Sequence, residues 1–306
     1  MTFDRRRVAI ALAGFCAFLD LYAPQSILPL LARELGASAA DVSLTVSATT
    51  FAIALIAPFI GAVADMLGRK RVIVSAMVAL VAPTILVALA TTLHDIVLWR
   101  FVQGLLLPPV FAVTIAYVGE EFYPEEATGV TGIYLSASSI GGFLGRFLTG
   151  IMAEHIGWRG AFLALALITA LCAAGVILLL PRERRFVKAP GLAISVRRML
   201  FHLQRPPLVA TFAVGFGVLF TFVATFTYVN FHLAAPPFDL SAAALGSIFI
   251  VYLTGSVTTT FTGRGVARFG RRRLVLCLIV LWAAGLLLTL APSLPAIIAG
   301  LAISAG

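Results

Sequence analysis

Apolar stretches, each about as long as a lipid bilayer is thick, recur from one end of this chain to the other and constrain its fold more than any other feature. A spanning helix needs about 20 consecutive apolar residues. Such stretches lie near 8–32, 43–64, 72–91, 96–118, 129–153, 160–180, 208–231, 243–262 and 274–291, and a tenth begins near 295. They are continuously apolar rather than alternating, so they read as helices and not as barrel strands. The fold class expected is an all-α membrane protein.

Composition excludes the soluble alternative. Hydrophobic residues make up 61% and charged residues 11% of the chain, whereas a domain wetted by water carries about 25% charged residues. Arg5, Arg6 and Arg7 precede the first stretch, as in a secretory signal. That stretch is too long for one, however, and contains Asp20 and Pro24, so it reads as a retained helix. Cys16, Cys172 and Cys277 fall inside spans without metal-ligand spacing and read as small packing residues. No nucleotide-cradling loop, metal cluster or nucleophile elbow is present, so neither an enzyme, a cofactor nor a metal is expected.

The net charge of +9 is distributed by topology. With the N-terminus in the cytoplasm, 18 of the 22 Lys and Arg residues fall in cytoplasmic segments, Arg33 and Arg159 lie outside, and Arg100 and Arg146 lie within spans. This is the positive-inside pattern. Nucleic-acid binding is not expected, because no stretch could form a folded basic domain with interleaved aromatics. Lipid is the expected partner of the surface.

The chain also repeats itself. Residues 61–71 (GAVADMLGRKR) follow the second span and residues 263–273 (GRGVARFGRRR) follow the eighth, with Gly270 lying 202 residues after Gly68. The same offset relates Gly61 to Gly263 and Arg69 to Arg271. The expected organisation is an N-terminal six-helix bundle at 1–181, a basic cytoplasmic linker at 182–207 with a surface amphipathic helix, and a partial second bundle at 208–306. By the repeat, Gly306 corresponds to Gly104, so two and a half helices of a twelve-helix plan are missing, through a truncated gene or a fragment.

Gly61, Asp65, Gly68, Arg69, Lys70 and Arg71 resemble the signature loop between the second and third helices of the major facilitator superfamily, with Met66 where that family usually has Arg or Lys. The resemblance implies two pseudo-symmetric helical bundles around a central cavity lined by helices one, four, seven and ten, with this loop as a conformational switch. In the second copy Ala267 replaces the acid, so Gly263, Gly270 and Arg271 form a weaker echo. The segment Leu98 to Gly104 is similar to the family's Arg-containing fourth helix, which implies a part for Arg100 in proton coupling. The plainer reading has Arg100 snorkelling to the headgroups.

Gly132, Gly141, Gly145 and Gly150 match the glycine spacing of the family's antiporter signature, with Arg146 where it has proline and Thr149 where it has glycine. Together with Gly104 they are the expected helix-packing glycines. Asp20 lies roughly 18 Å into the first helix at 1.5 Å per residue. An acid in a span is a site by default, so it is read as a substrate or proton carboxylate, the alternative being an ion pair with Arg100 or Arg146. Pro108 and Pro109 are expected to bend the fourth helix beside a pathway, and Gly157, Trp158 and Arg159 to anchor an interface.

These readings point to a monomeric secondary transporter of the bacterial inner membrane that couples protons to efflux of a small organic molecule. The alternatives are an importer of the same fold and a truncated remnant that does not transport.

Overall fold

The structure is a computed structural model that describes residues 4–183 and 204–305, with side chains throughout except at 256–257 and 259–265. The surface helix expected in the linker lies outside the described residues. Those that are described form helices and turns and contain no strand.

Helix α1 spans Arg5–Leu21, begun by the Asp4 side chain accepting from the Arg6 amide. The chain then makes a 3-10 turn, Ala23–Ile27, and resumes as α2, Leu28–Leu35. The first span is thus broken where the sequence places its prolines, because proline has no N–H to continue a helix. Helices α3 (Ala39–Leu67) and α5 (Leu93–Glu121) each open on a reciprocal capping box, Ser38 with Asp41 and Thr92 with Asp95. Helix α4 covers Arg69–Ala88.

The fifth and sixth expected spans form one run, α6, Pro124–Leu179, interrupted at Gly157 with φ 73°. The run turns back there, since Gly14 on α1 abuts Tyr134 and Ser138 of the first limb while Leu12 abuts Gly175 of the second. The second half comprises α7 (Pro206–Ala234), α8 (Ala242–Ile248), a 3-10 turn at Phe249–Val251, α9 (Tyr252–Phe269), α10 (Arg271–Leu288) and α11 (Leu294–Ala305).

The repeat reappears as backbone geometry. Gly68 (φ 94°) and Gly270 (φ 77°) both end a helix and begin the next without a loop, in a conformation that glycine adopts without strain. Ser38 caps α3 as Ser241 caps α8. The copies differ in where they break: α1–α2 is interrupted while α7 is continuous, and α8–α9 is interrupted while α3 is continuous.

The surface is apolar, unlike that of a water-soluble protein, and charged and amide side chains lie inside. Phe51, Leu55, Leu171, Leu178, Val214 and Phe216 are exposed, while Asp20, Gln25, Arg100, Gln103, Arg146 and Asn230 are buried. That is the partition lipid imposes, because a charge facing hydrocarbon is costly unless paired or wetted. One apolar core joins α1 through α6, with α1 packed along α6 and α3 along α5. A smaller one joins α7, α8 and α11 around Phe226, Phe249 and Leu301. Pro108 and Pro109 lie buried within α5, which continues through them as one helix.

Candidate functional site

The site begins with carbonyls that the broken first span leaves unpaired. The acceptor at Asp20 would take its helical hydrogen bond from residue 24, which is proline. That at Leu21 would take one from Gln25, whose amide donates instead to Tyr22 at 3.0 Å. Arg100 fills both places, donating from Nη1 to the Asp20 carbonyl at 2.8 Å and from Nη2 to that of Leu21. Its Nε donates to the Thr45 carbonyl at 3.0 Å, and Nη1 also meets Gln103 Oε1 at 2.7 Å. Gln103 in turn donates to Thr84 at 2.7 Å, and Thr49 donates to the Arg100 carbonyl at 3.0 Å. Arg100 is therefore a fully buried tie among α1, α3 and α5, extended to α4 by Gln103. The headgroup-snorkelling reading is overturned.

The Asp20 side chain points elsewhere. Its Oδ2 accepts from Thr169 on the second limb of α6 at 2.8 Å and lies 3.9 Å from Cys16 Sγ, while Oδ1 is buried without a partner. The ion pair of Asp20 with Arg100 or Arg146, the alternative reading of that acid, is absent among the described residues. The reason is topological: Arg100 spends its donors on backbone carbonyls and Gln103, the carboxylate faces Thr169 on the second limb of α6, and Arg146 on the first limb turns to Gln25, Gly142 and Tyr252. Cys16 and Cys172 are buried as expected, but Cys277 is exposed.

Arg146, 1% exposed, occupies the seam between the two halves. Its Nε donates to Gln25 Oε1 at 2.7 Å, Nη1 to the Gly142 carbonyl at 2.5 Å and Nη2 to the Tyr252 hydroxyl at 3.1 Å. The guanidinium lies 4.4 Å from the ring centre of Tyr22, 4.7 Å from Phe249 and 4.3 Å from Tyr252. Around it Gln25 donates to Thr227 at 3.0 Å, Asn230 donates to the Gln25 carbonyl at 2.8 Å, and Ser26 donates to the Arg146 carbonyl at 2.7 Å.

Glycines permit the close approaches around Arg146, both within the first bundle and across the seam. A Cβ at Gly141 or Gly145 would strike the carbonyl oxygens of Phe15 or Leu19, and one at Gly150 that of Ala242. Gly246 likewise abuts the Arg146 backbone, and Gly104 packs on Thr49. Gly132 faces open space and is not a packing glycine, which corrects that expectation, and Gly61 of the switch loop is open as well. Nearer the seam's rim, the Glu154 carboxylate accepts from the Ala243 amide at 2.9 Å. Trp158 is buried and donates to Glu34 at 2.8 Å, so it ties the protein internally instead of anchoring it at an interface.

At the opposite, basic end, Arg69 forms a bidentate pair with Glu120 at the end of α5 (3.0 and 2.6 Å) and a further pair with Asp65 at 2.5 Å. The Lys70 amide donates to Glu183 at 3.2 Å, and its ammonium to the Ile177 carbonyl at 3.2 Å. Lys70, Arg71, Arg182 and Glu183 line a cavity of about 400 Å³. In the second copy Gly263 lies within α9, and Arg271 is exposed with no ion pair among the described residues, as the missing acid at Ala267 leads one to expect.

Sequence reasoning missed Gln25, Gln103, Thr169, Asn230, Tyr252, Glu120 and Glu183. Gln25, Gln103 and Asn230 carried a signal, since each is an amide inside an apolar run.

The sequence profile of the Major Facilitator Superfamily matches residues 10–236. The chain is 34% identical over 273 residues to the inner membrane transport protein YnfM of Escherichia coli K12, covering 88% of this chain and 65% of that protein. It is 28% identical over 227 residues to the purine ribonucleoside efflux pump NepI of Salmonella paratyphi A, covering 72% and 55%. In three dimensions it resembles the nucleoside transporter NupG with a TM-score of 0.77 at 15% identity, covering 98% of this chain and 78% of that one.

Proposed function

Because the chain belongs to the Major Facilitator Superfamily, we propose that it is a proton-coupled exporter of a small organic molecule, working by alternating access, with Asp20 as the group that takes and releases the proton. The supporting observation is the Asp20 carboxylate: 1% exposed, held by Thr169 on one oxygen and by nothing on the other. A buried acceptor without a donor is where a proton has a place to sit, and an acid inside the membrane is a functional-site candidate by default, proton relays being one such role.

The seam at Arg146 closes one face of the molecule, whereas the buried face of α7 begins only at Phe226, well away from its basic end. On this reading the basic end is cytoplasmic, the protein resides as a monomer in the bacterial inner membrane, and the arrangement is the inward-facing one. The bundle at 1–181 and the partial one at 208–306 rock about the seam, and the Asp65–Arg69–Glu120 network holds the first bundle's basic end in one state.

The test is transport by the full chain in proteoliposomes, with a panel of nucleosides, sugars and aromatic acids, with and without a pH gradient. Asp20→Asn is expected to retain exchange of whichever compound is carried and to lose accumulation driven by the gradient. Gradient-driven accumulation at the wild-type rate by a folded Asp20→Asn protein removes Asp20 from the coupling.

A further inference from the structure

Arg146 is a buried cation that no acid balances among the described residues. Its three hydrogen bonds go to an amide oxygen, a backbone carbonyl and a phenol, and among the described residues no carboxylate pairs with it. A desolvated charge surrounded only by neutral groups is a costly arrangement for stability alone. It is an effective one for attracting an anion.

The partners divide between the halves. Gln25 and Gly142 belong to the same bundle as Arg146, whereas Tyr252 and Phe249 come from the other. When the halves part on this side, Nε and Nη1 keep their acceptors. Nη2 loses its acceptor and one aromatic wall of the cage, and then faces the cleft. The Tyr252 hydroxyl at 3.1 Å thus occupies the place of a ligand oxygen in the closed arrangement.

We propose that Arg146 is the recognition point for the transported molecule, and that this molecule is an organic anion: a carboxylate or phosphate ester on an aromatic or apolar body. The anionic oxygens take the Nη2 position vacated by Tyr252. The body lies against the ring of Tyr22, which faces the Arg146 guanidinium, and against Phe222 and Phe226, which share ring contacts with Tyr252. This rests on the transport reading above and names its substrate class.

The test is ligand-induced thermal stabilisation of the purified full chain in detergent, with benzoate, 4-hydroxybenzoate and phenyl phosphate as anionic probes and benzamide and inosine as neutral ones. At least one anion is expected to raise the unfolding midpoint in a saturable way, and the neutral probes are not. Arg146→Gln should weaken that anion by about tenfold or more, as loss of a charge-assisted hydrogen bond does, and Arg146→Lys should retain part of the binding. Tyr252→Phe, which removes the competing hydroxyl and keeps the cation, should tighten binding and serves as the second arm if Arg146→Gln fails to fold. Binding is read in detergent without a pH gradient, so its outcome does not depend on whether Asp20 couples transport to protons, which separates substrate class from proton coupling. Equal stabilisation by the neutral probes overturns the proposal, as does the absence of any shift with all three anions, or unchanged anion binding in both Arg146→Gln and Tyr252→Phe.

Discussion

Pro24 cannot donate to the Asp20 carbonyl, and the Gln25 amide is turned to Tyr22, so two acceptors at the end of α1 depend on Arg100. The guanidinium suits this because it presents five donors in a fixed plane, where lysine offers a point charge. It also brings positive charge to the C-terminal end of α1, where the helix dipole is negative. Arg100→Ala should therefore destabilise the protein by about 1–3 kcal/mol for each carbonyl left unpaired. Arg100→Lys should be intermediate. Because the defect originates at a proline, Pro24→Ala in the Arg100→Ala background should recover part of the loss by restoring an N–H. Thermal unfolding of the four proteins in detergent checks this, and a double variant no better than Arg100→Ala would count against the backbone account of Arg100.

At the scale of elements, α1 and the first limb of α6 approach until backbone meets backbone, with Gly141 against Phe15 and Gly145 against Leu19. Gly141→Ala and Gly145→Ala should each cost about 1–3 kcal/mol through forced separation of the helices. Gly132→Ala, at an open position, should be neutral or stabilising by up to about 1 kcal/mol from helix propensity. A Gly132→Ala effect as large as that of Gly141→Ala would remove the distinction. The contrast also marks how far the sequence could be read. Span positions, the broken first helix and the turn at Gly157 follow from apolar run length, proline and glycine, which act locally. Glycine spacing identifies a helix but not which glycines face a neighbour, so Gly132 was grouped with the rest. Trp158 has the composition of an interfacial anchor, and only the meeting of α2 with the Gly157 turn turns it toward Glu34. The company of Arg146, drawn from residues as distant as Gln25 and Tyr252, follows from the docking of two bundles and leaves no local trace.

For the whole molecule, the segregation of basic residues to one end sets the orientation expected in the membrane. Single cysteines at Leu35 and Arg71, in a chain whose native cysteines are replaced, should report it. A membrane-impermeant maleimide added to intact cells should label position 35 and spare position 71, and the reverse pattern would invert the topology proposed here. The hairpin that α6 makes at Gly157 has a mechanical meaning. Its first limb carries Arg146, which touches the other half, and its second carries Thr169, which holds Asp20. The limbs join at Gly157 with no intervening loop, and the two residues lie nearly equal distances from that joint. On the rocking motion proposed above, such a hairpin would act as a lever pivoting at Gly157, so that displacement of the neighbouring bundle at one arm would change the distance to the carboxylate at the other.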